Sequence, residues 1–152
     1  MSVKSLKKKL HQACKDSLQK RLSTIQQALG EAQAAANQET KSSAGDKHET
    51  GRAMMQLETE KLSKQLQEVL KEQDRLKKIP VDNKCRHVEP GALVTTDSLC
   101  LYFAISAGKV LVDGKSYVAL SLQTPLGLAA RGKQVGDNIE LPQQLYQIKE
   151  IS

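Results

Sequence analysis

A chain of 152 residues with 39% apolar side chains but only 3% aromatic ones can build one ordinary domain or two small ones, and not a large aromatic core. No run of about 18 apolar residues occurs, and the basic start Ser2-Val3-Lys4-Ser5-Leu6-Lys7-Lys8-Lys9 leads into no apolar stretch or cleavage site. Membrane insertion and export are therefore not expected.

The formal net charge of +6 sits entirely within residues 1–30, where Lys4, Lys7, Lys8, Lys9, Lys15, Lys20 and Arg21 face Asp16 alone. A basic helix of this kind is either a solvated face or a docking face for an acidic protein or nucleic acid. No aromatic side chain interleaves with these lysines, which argues against stacking on single-stranded bases. Cys14, Cys85 and Cys100 are an odd number at spacings that match neither a disulfide framework nor a zinc site, so reduced thiols in a cytosol are expected.

From the N-terminus, apolar residues recur at Leu6, Leu10, Cys14, Leu18, Leu22, Ile25, Leu29, Ala32 and Ala36, one continuous helical stripe. A second stripe runs Met55, Thr59, Leu62, Leu66, Val69, Gln73 and Leu76, and Pro80 stops it just after Ile79. Neither helix can bury its face alone, so the spacing predicts an antiparallel coiled-coil hairpin over residues 1–79. With about 30 residues per arm it has roughly 45 Å of reach. Between the stripes lies a polar turn, Asn37 to Thr50, with no large apolar residue; its tip is Gly45-Asp46-Lys47-His48-Glu49.

After Pro80 the pattern becomes strand-like. Leu93 to Thr96, Leu99 to Ser106, Lys109 to Val112 and Ser116 to Leu122 read as short strands, with Asp113-Gly114 as a hairpin turn. Thr124-Pro125 reads as a helix cap followed by proline at the first helical position, opening a short helix that ends near Gly132. Strands around Ile139 to Leu141 and Leu145 to Ile151 complete a small module over residues 80–152. The fold class expected is α+β.

Asp46-x-x-Glu49 has a structural reading as a capping box, in which each side chain accepts a backbone N–H of the first helical turn. It also has a chemical one. Two solvated carboxylates with ordinary pKa values near ~4 are ionised at neutral pH, hence metal ligands or orienters of water and not general acids. Mg²⁺ takes one or two carboxylates and leaves its other positions to water and phosphate, so the pair makes half a metal site. His48 in the turn and the pair Cys85 and His87 are read as inert, with no further His or Cys close in sequence. Met54 and Met55 are read as seam packing.

With its paired helices, its Gly-Asp-x-x-Glu tip, and Ser121-Leu122-Gln123-Thr124-Pro125-Leu126-Gly127 followed by Gly132-Lys133-Gln134-Val135-Gly136-Asp137, the chain resembles the Gre family of bacterial transcript cleavage factors. The resemblance in order and spacing covers nearly the whole chain. It implies a coiled-coil hairpin joined to an FKBP-like antiparallel sheet domain with a short helix. It implies binding to RNA polymerase, with the hairpin inserted through the secondary channel and the tip carboxylates helping to hold a Mg²⁺ shared with the polymerase active site. Backtracked transcripts would then be hydrolysed at the nascent RNA 3′ end. Asp46 is the implied metal ligand and Glu49 the residue that positions the attacking water. The chain itself would be an activator and not a complete nuclease, touching DNA only through the elongation complex.

Two features modify that picture. After the tip the chain reads Thr50-Gly51-Arg52-Ala53 where the family has Asn-Ala, an acidic residue and Tyr. Arg52 and Lys47 place positive charge beside the carboxylates, which either steadies phosphate or competes for Asp46 and Glu49. A non-catalytic regulator that occupies the same channel is the alternative, and a generic coiled-coil interaction protein with Asp46 and Glu49 as caps is a further one. Lys7, Lys8 and Lys9 lie at the hairpin base, far from the tip, and are expected with Arg52 to serve partner binding. The four aromatic residues of the second module, Tyr102, Phe103, Tyr117 and Tyr146, are too few for an aromatic-lined proline pocket, so isomerase activity is not expected.

Overall fold

The structure, a computed structural model, describes residues 2–41 and 46–152, with side chains for 2–37 and 51–152. Two long helices, α1 (Val3–Lys41) and α2 (Asp46–Lys77), precede a sheet of six strands. The strands are β1 (Leu93–Thr96), β2 (Cys100–Phe103), β3 (Gly108–Val112), β4 (Lys115–Leu120), β5 (Asn138–Leu141) and β6 (Gln144–Ile151), with helix α3 (Pro125–Ala130) between β4 and β5.

The helices run further than the polar turn suggested. Nothing between Asn37 and Lys41 breaks a helix, and each residue added to an existing helix gains a hydrogen bond, so α1 continues to Lys41 and α2 already opens at Asp46. At the other end α2 tightens: the Lys78 and Ile79 amides donate to the Arg75 and Leu76 carbonyls three residues back, and Pro80 prevents continuation.

The chain divides into two compact units, Leu18–Glu72 and the combination of Met1–Ser17 with Gln73–Ser152. In the first, Leu18, Ile25, Ala32, Leu62 and Val69 are buried. Leu22, Leu29, Met55, Thr59 and Leu66 are half-buried between them, so both stripes fall where the spacing put them. Met54 departs from expectation: it stands 63% exposed, one residue off the stripe, and only Met55 packs.

In the second unit the sheet order is β3-β4-β2-β1-β6-β5. The sheet is mixed and not purely antiparallel as expected, because β4 pairs in parallel with β2, Leu101 opposite Val118 and Phe103 opposite Leu120. Burial explains the arrangement. Tyr117, Ala119 and Leu120 of β4 are buried, whereas β3 buries only Val112, so the hairpin docks with β4 inward and leaves β3 at the edge. The hairpin turn is the expected one: Asp113 (φ 50°) and Gly114 (φ 80°) both occupy the left-handed region that a two-residue turn requires.

Thr124 caps α3, its Oγ1 accepting the Gly127 amide at 3.0 Å, with Pro125 starting the helix. Gly127 permits the closest approach in the module. A Cβ there would lie 2.3 Å from the Ser121 carbonyl oxygen and 2.6 Å from Leu122 Cα, so the helix seats only without one. The core gathers Val94, Leu101, Phe103, Leu120, Ala130, Ile139, Tyr146 and Ile148 with Cys85, Val88 and Ala92. The stretch before β1 is thus part of the core. Val88 exchanges backbone hydrogen bonds with Gly132 and Lys133, and His87 bridges to Gln134.

Candidate functional site

Asp46 is the first residue of α2 and Glu49 stands one turn further along. The side chains of both, with those of Lys47 and His48, lie outside the described residues, as does Gly45 altogether. The capping and metal readings of the tip both rest on these groups. Carboxylates three residues apart on a helix share one face. As a donor set they fit a hard cation: Mg²⁺ prefers oxygen ligands, commonly accepts one or two carboxylates, and fills its octahedral shell with water and phosphate oxygens. Two carboxylates cannot complete that shell, so the remaining ligands must come from elsewhere. Among the described residues no three His, Cys, Asp or Glu side chains converge as metal ligands. Arg52, exposed, follows Glu49 by one helical turn.

The three clustered lysines occupy three different environments. Lys8 is exposed. Lys9 is half-exposed and reaches the β3–β4 turn, its Nζ 3.1 Å from Asp113 Oδ2 and 3.3 Å from Oδ1. Lys7 is only 2% exposed; its Nζ donates to the Asn83 carbonyl at 2.8 Å and lies 3.8 Å from Cys85 Sγ. An enclosed ammonium has no face to offer a partner, so Lys7 does not fit the docking role expected of it, and of the three only Lys8 and Lys9 present charge at the surface. A signal for this was present in the sequence: Lys7 precedes Leu10 by three positions and Cys14 by seven, on the apolar side of α1.

Lys7 belongs to a polar cluster that sequence reasoning missed. Cys85 is buried, and loss of water around it, followed by the thiol's hydrogen bond to the Glu89 carboxylate, pushes its pKa up; the nearby Lys7 charge opposes this. Tyr102 is fully buried, and burial first, then the neighbouring Cys14 and Cys85, raises its phenol above the ordinary range. Its hydroxyl and His11 Nδ1 are the buried side-chain polar atoms without a hydrogen-bond partner among the described residues. The His11 pKa is lowered, mainly by burial and then by Lys15. None of the three cysteines is disulfide-bonded; Cys14 and Cys85 are buried and Cys100 is partly exposed.

The Thr-Pro and Gly-Lys segments have structural work in the module. Thr124 Oγ1 donates to the Ser121 carbonyl at 2.8 Å while accepting from Gly127, and Asp137 Oδ2 accepts the Gln134 amide at 2.9 Å to close the turn into β5. Phe103, Tyr102, Tyr117 and Tyr146 are all buried. Among the described residues no helix is long and apolar enough to cross a membrane. Compared with known proteins, the chain matches no family model and no curated sequence.

Proposed function

We propose that this protein is a Gre-type transcription elongation factor that binds bacterial RNA polymerase through its secondary channel and stimulates cleavage of backtracked transcripts. The observation that carries the reading is the burial pattern of α1 and α2. Leu18, Ile25 and Ala32 of one helix and Leu62 and Val69 of the other are covered in a unit made of these helices alone. That supports their pairing as an antiparallel coiled coil with Asp46 and Glu49 at its far end. The six-stranded module with its proline-started helix supports the FKBP-like expectation for the second domain.

In this reading the chain's own residues do three things. Lys8 and Lys9 at the base of α1 assist docking by charge. The paired helices carry two carboxylates into a site that already holds RNA. There Asp46, with Glu49, would help hold a shared Mg²⁺, and Glu49 would orient the attacking water at the transcript. The metal, when bound, supplies charge neutralisation at the phosphodiester undergoing in-line displacement.

A second reading, a channel-occupying regulator that does not cleave, is favoured by Arg52, which places an exposed positive charge one helical turn after Glu49. One assay separates the two. Halted, backtracked elongation complexes are incubated with Mg²⁺ and either wild type or the double variant Asp46→Ala, Glu49→Ala. Release of 3′ fragments by wild type and not by the variant supports cleavage. Slowed nucleotide addition without fragments supports the regulator, and no binding to polymerase overturns both.

A further inference from the structure

The second unit contains a concave groove of about 290 Å³ that the proposed function does not use. Its apolar seat is formed by Ile79, Pro90 and Leu122, and its rim carries three cations, Arg75 and Lys78 from the end of α2 and Arg131 from the end of α3. Among the described residues no carboxylate lines it. The elements that meet there, the close of α2, the start of the sheet and both ends of α3, all belong to one compact unit.

The combination selects a ligand class. Small-molecule sites are concave and mostly apolar with a few placed polar groups, and a groove at the small end of their size range admits one ring or a short chain. Arginine guanidinium groups present planar forks that match phosphate and carboxylate oxygens. Lys78 also pairs with Asp74 at 3.1 Å, but both side chains are largely exposed, so water screens the pair and an incoming oxyanion competes with it readily. Arg75 interacts within the protein as well. Arg131 is exposed at the C-cap of α3, its backbone amide held by the Gly127 carbonyl at 3.0 Å, so its side chain stands on a fixed anchor.

We infer that this groove binds a small organic anion, an apolar body of one ring or a short chain carrying a phosphate or carboxylate head. The body sits on Ile79, Pro90 and Leu122, and the head meets Arg131 and Lys78. Because the ligand touches the end of α2 and the approach to α3 together, its binding stabilises the unit by mass action.

The test needs no polymerase, so its outcome is independent of the function proposed above. Amide NMR spectra of the full chain are recorded at constant ionic strength during titration with phenyl phosphate, phenylacetate, inorganic phosphate and phenol. Phenyl phosphate or phenylacetate should shift the Ala104, Gln123 and Arg131 amides and bind about tenfold or more tightly than inorganic phosphate or phenol. The tighter of the two names the head group. Arg131→Glu should weaken binding about tenfold, the value of one charge-assisted hydrogen bond, with Lys78→Glu acting in the same direction and Lys109→Glu, outside the groove, leaving it unchanged. Unchanged spectra of the unliganded variants away from the substitution show that folding is intact. Equal binding of inorganic phosphate or phenol, or indifference to both Arg131→Glu and Lys78→Glu, overturns the proposal. Stronger shifts of the same amides by a short acidic peptide also overturn it, since the groove is then a peptide site.

Discussion

Lys7 Nζ lies 3.8 Å from Cys85 Sγ, although 78 residues separate the two, and the same ammonium donates to the Asn83 carbonyl at 2.8 Å. The contact ties the second turn of α1 to the segment that enters the sheet module, and it turns a lysine of a basic cluster into a structural element.

Replacing Lys7 with Ala removes a buried stem and the lysine's hydrogen bond to the Asn83 carbonyl. The expected loss is about 2 kcal/mol, mostly from the packing of the buried stem, with the lost hydrogen bond to Asn83 adding to it. Urea unfolding followed by circular dichroism measures it. A change under about 0.5 kcal/mol, the range of an ordinary surface substitution, would contradict the buried role.

Lys8 should behave oppositely. Its exposed charge assists docking in the proposed function, so Lys8→Glu should leave stability unchanged and raise the concentration for half-maximal transcript cleavage. The salt dependence should also flatten while the maximum stays the same. A lower maximum at unchanged half-saturation would place Lys8 in the chemistry instead.

His11 gives the fold a pH dependence with a defined sign. Burial lowers its folded-state pKa below the ordinary value of 6.5, so the unfolded chain binds the proton first as pH falls. The contribution to stability is therefore intact above about pH 6.5 and declines below it until the folded pKa is reached. Urea midpoints at pH 8 and pH 5.5 should differ more for wild type than for His11→Gln. Equal differences would show that His11 is not the group responsible.

Gly127→Ala should be severely destabilising, because the new methyl meets backbone at 2.3 Å from the Ser121 carbonyl oxygen and 2.6 Å from Leu122 Cα. Neither neighbour is a flexible side-chain end that can move aside. The expected cost is about 2 kcal/mol or more, against about 1 kcal/mol for Thr124→Ala, which removes only the cap. Thermal unfolding of both variants checks the order; a milder effect from Gly127→Ala than from Thr124→Ala would refute it.

Much of the fold was legible because it is local. The stripe positions Leu18, Ile25, Leu62 and Val69 follow from helical period, the Asp113-Gly114 turn from the residues that tolerate left-handed backbone, and the start of α3 from Thr124 and Pro125. Each is decided within a few residues of chain. The carboxylates Asp46 and Glu49 were likewise readable as a pattern, and they remain the chemical centre of the proposed function.

What only tertiary structure decided is what depends on which faces meet. β4 lies parallel to β2 because it is the strand of its hairpin with more surface to bury. Cys85 is a core residue and Lys7 its neighbour because the base of α1 and the entry to the sheet are packed in one unit, a contact between distant segments that no local period encodes. Arg75, Lys78 and Arg131 converge on one groove for the same reason. Helical period and turn chemistry are short-range backbone preferences, whereas burial and charge convergence are set by long-range packing, so the sequence alone determined the elements and the tertiary structure assigned their side chains to core, surface or site.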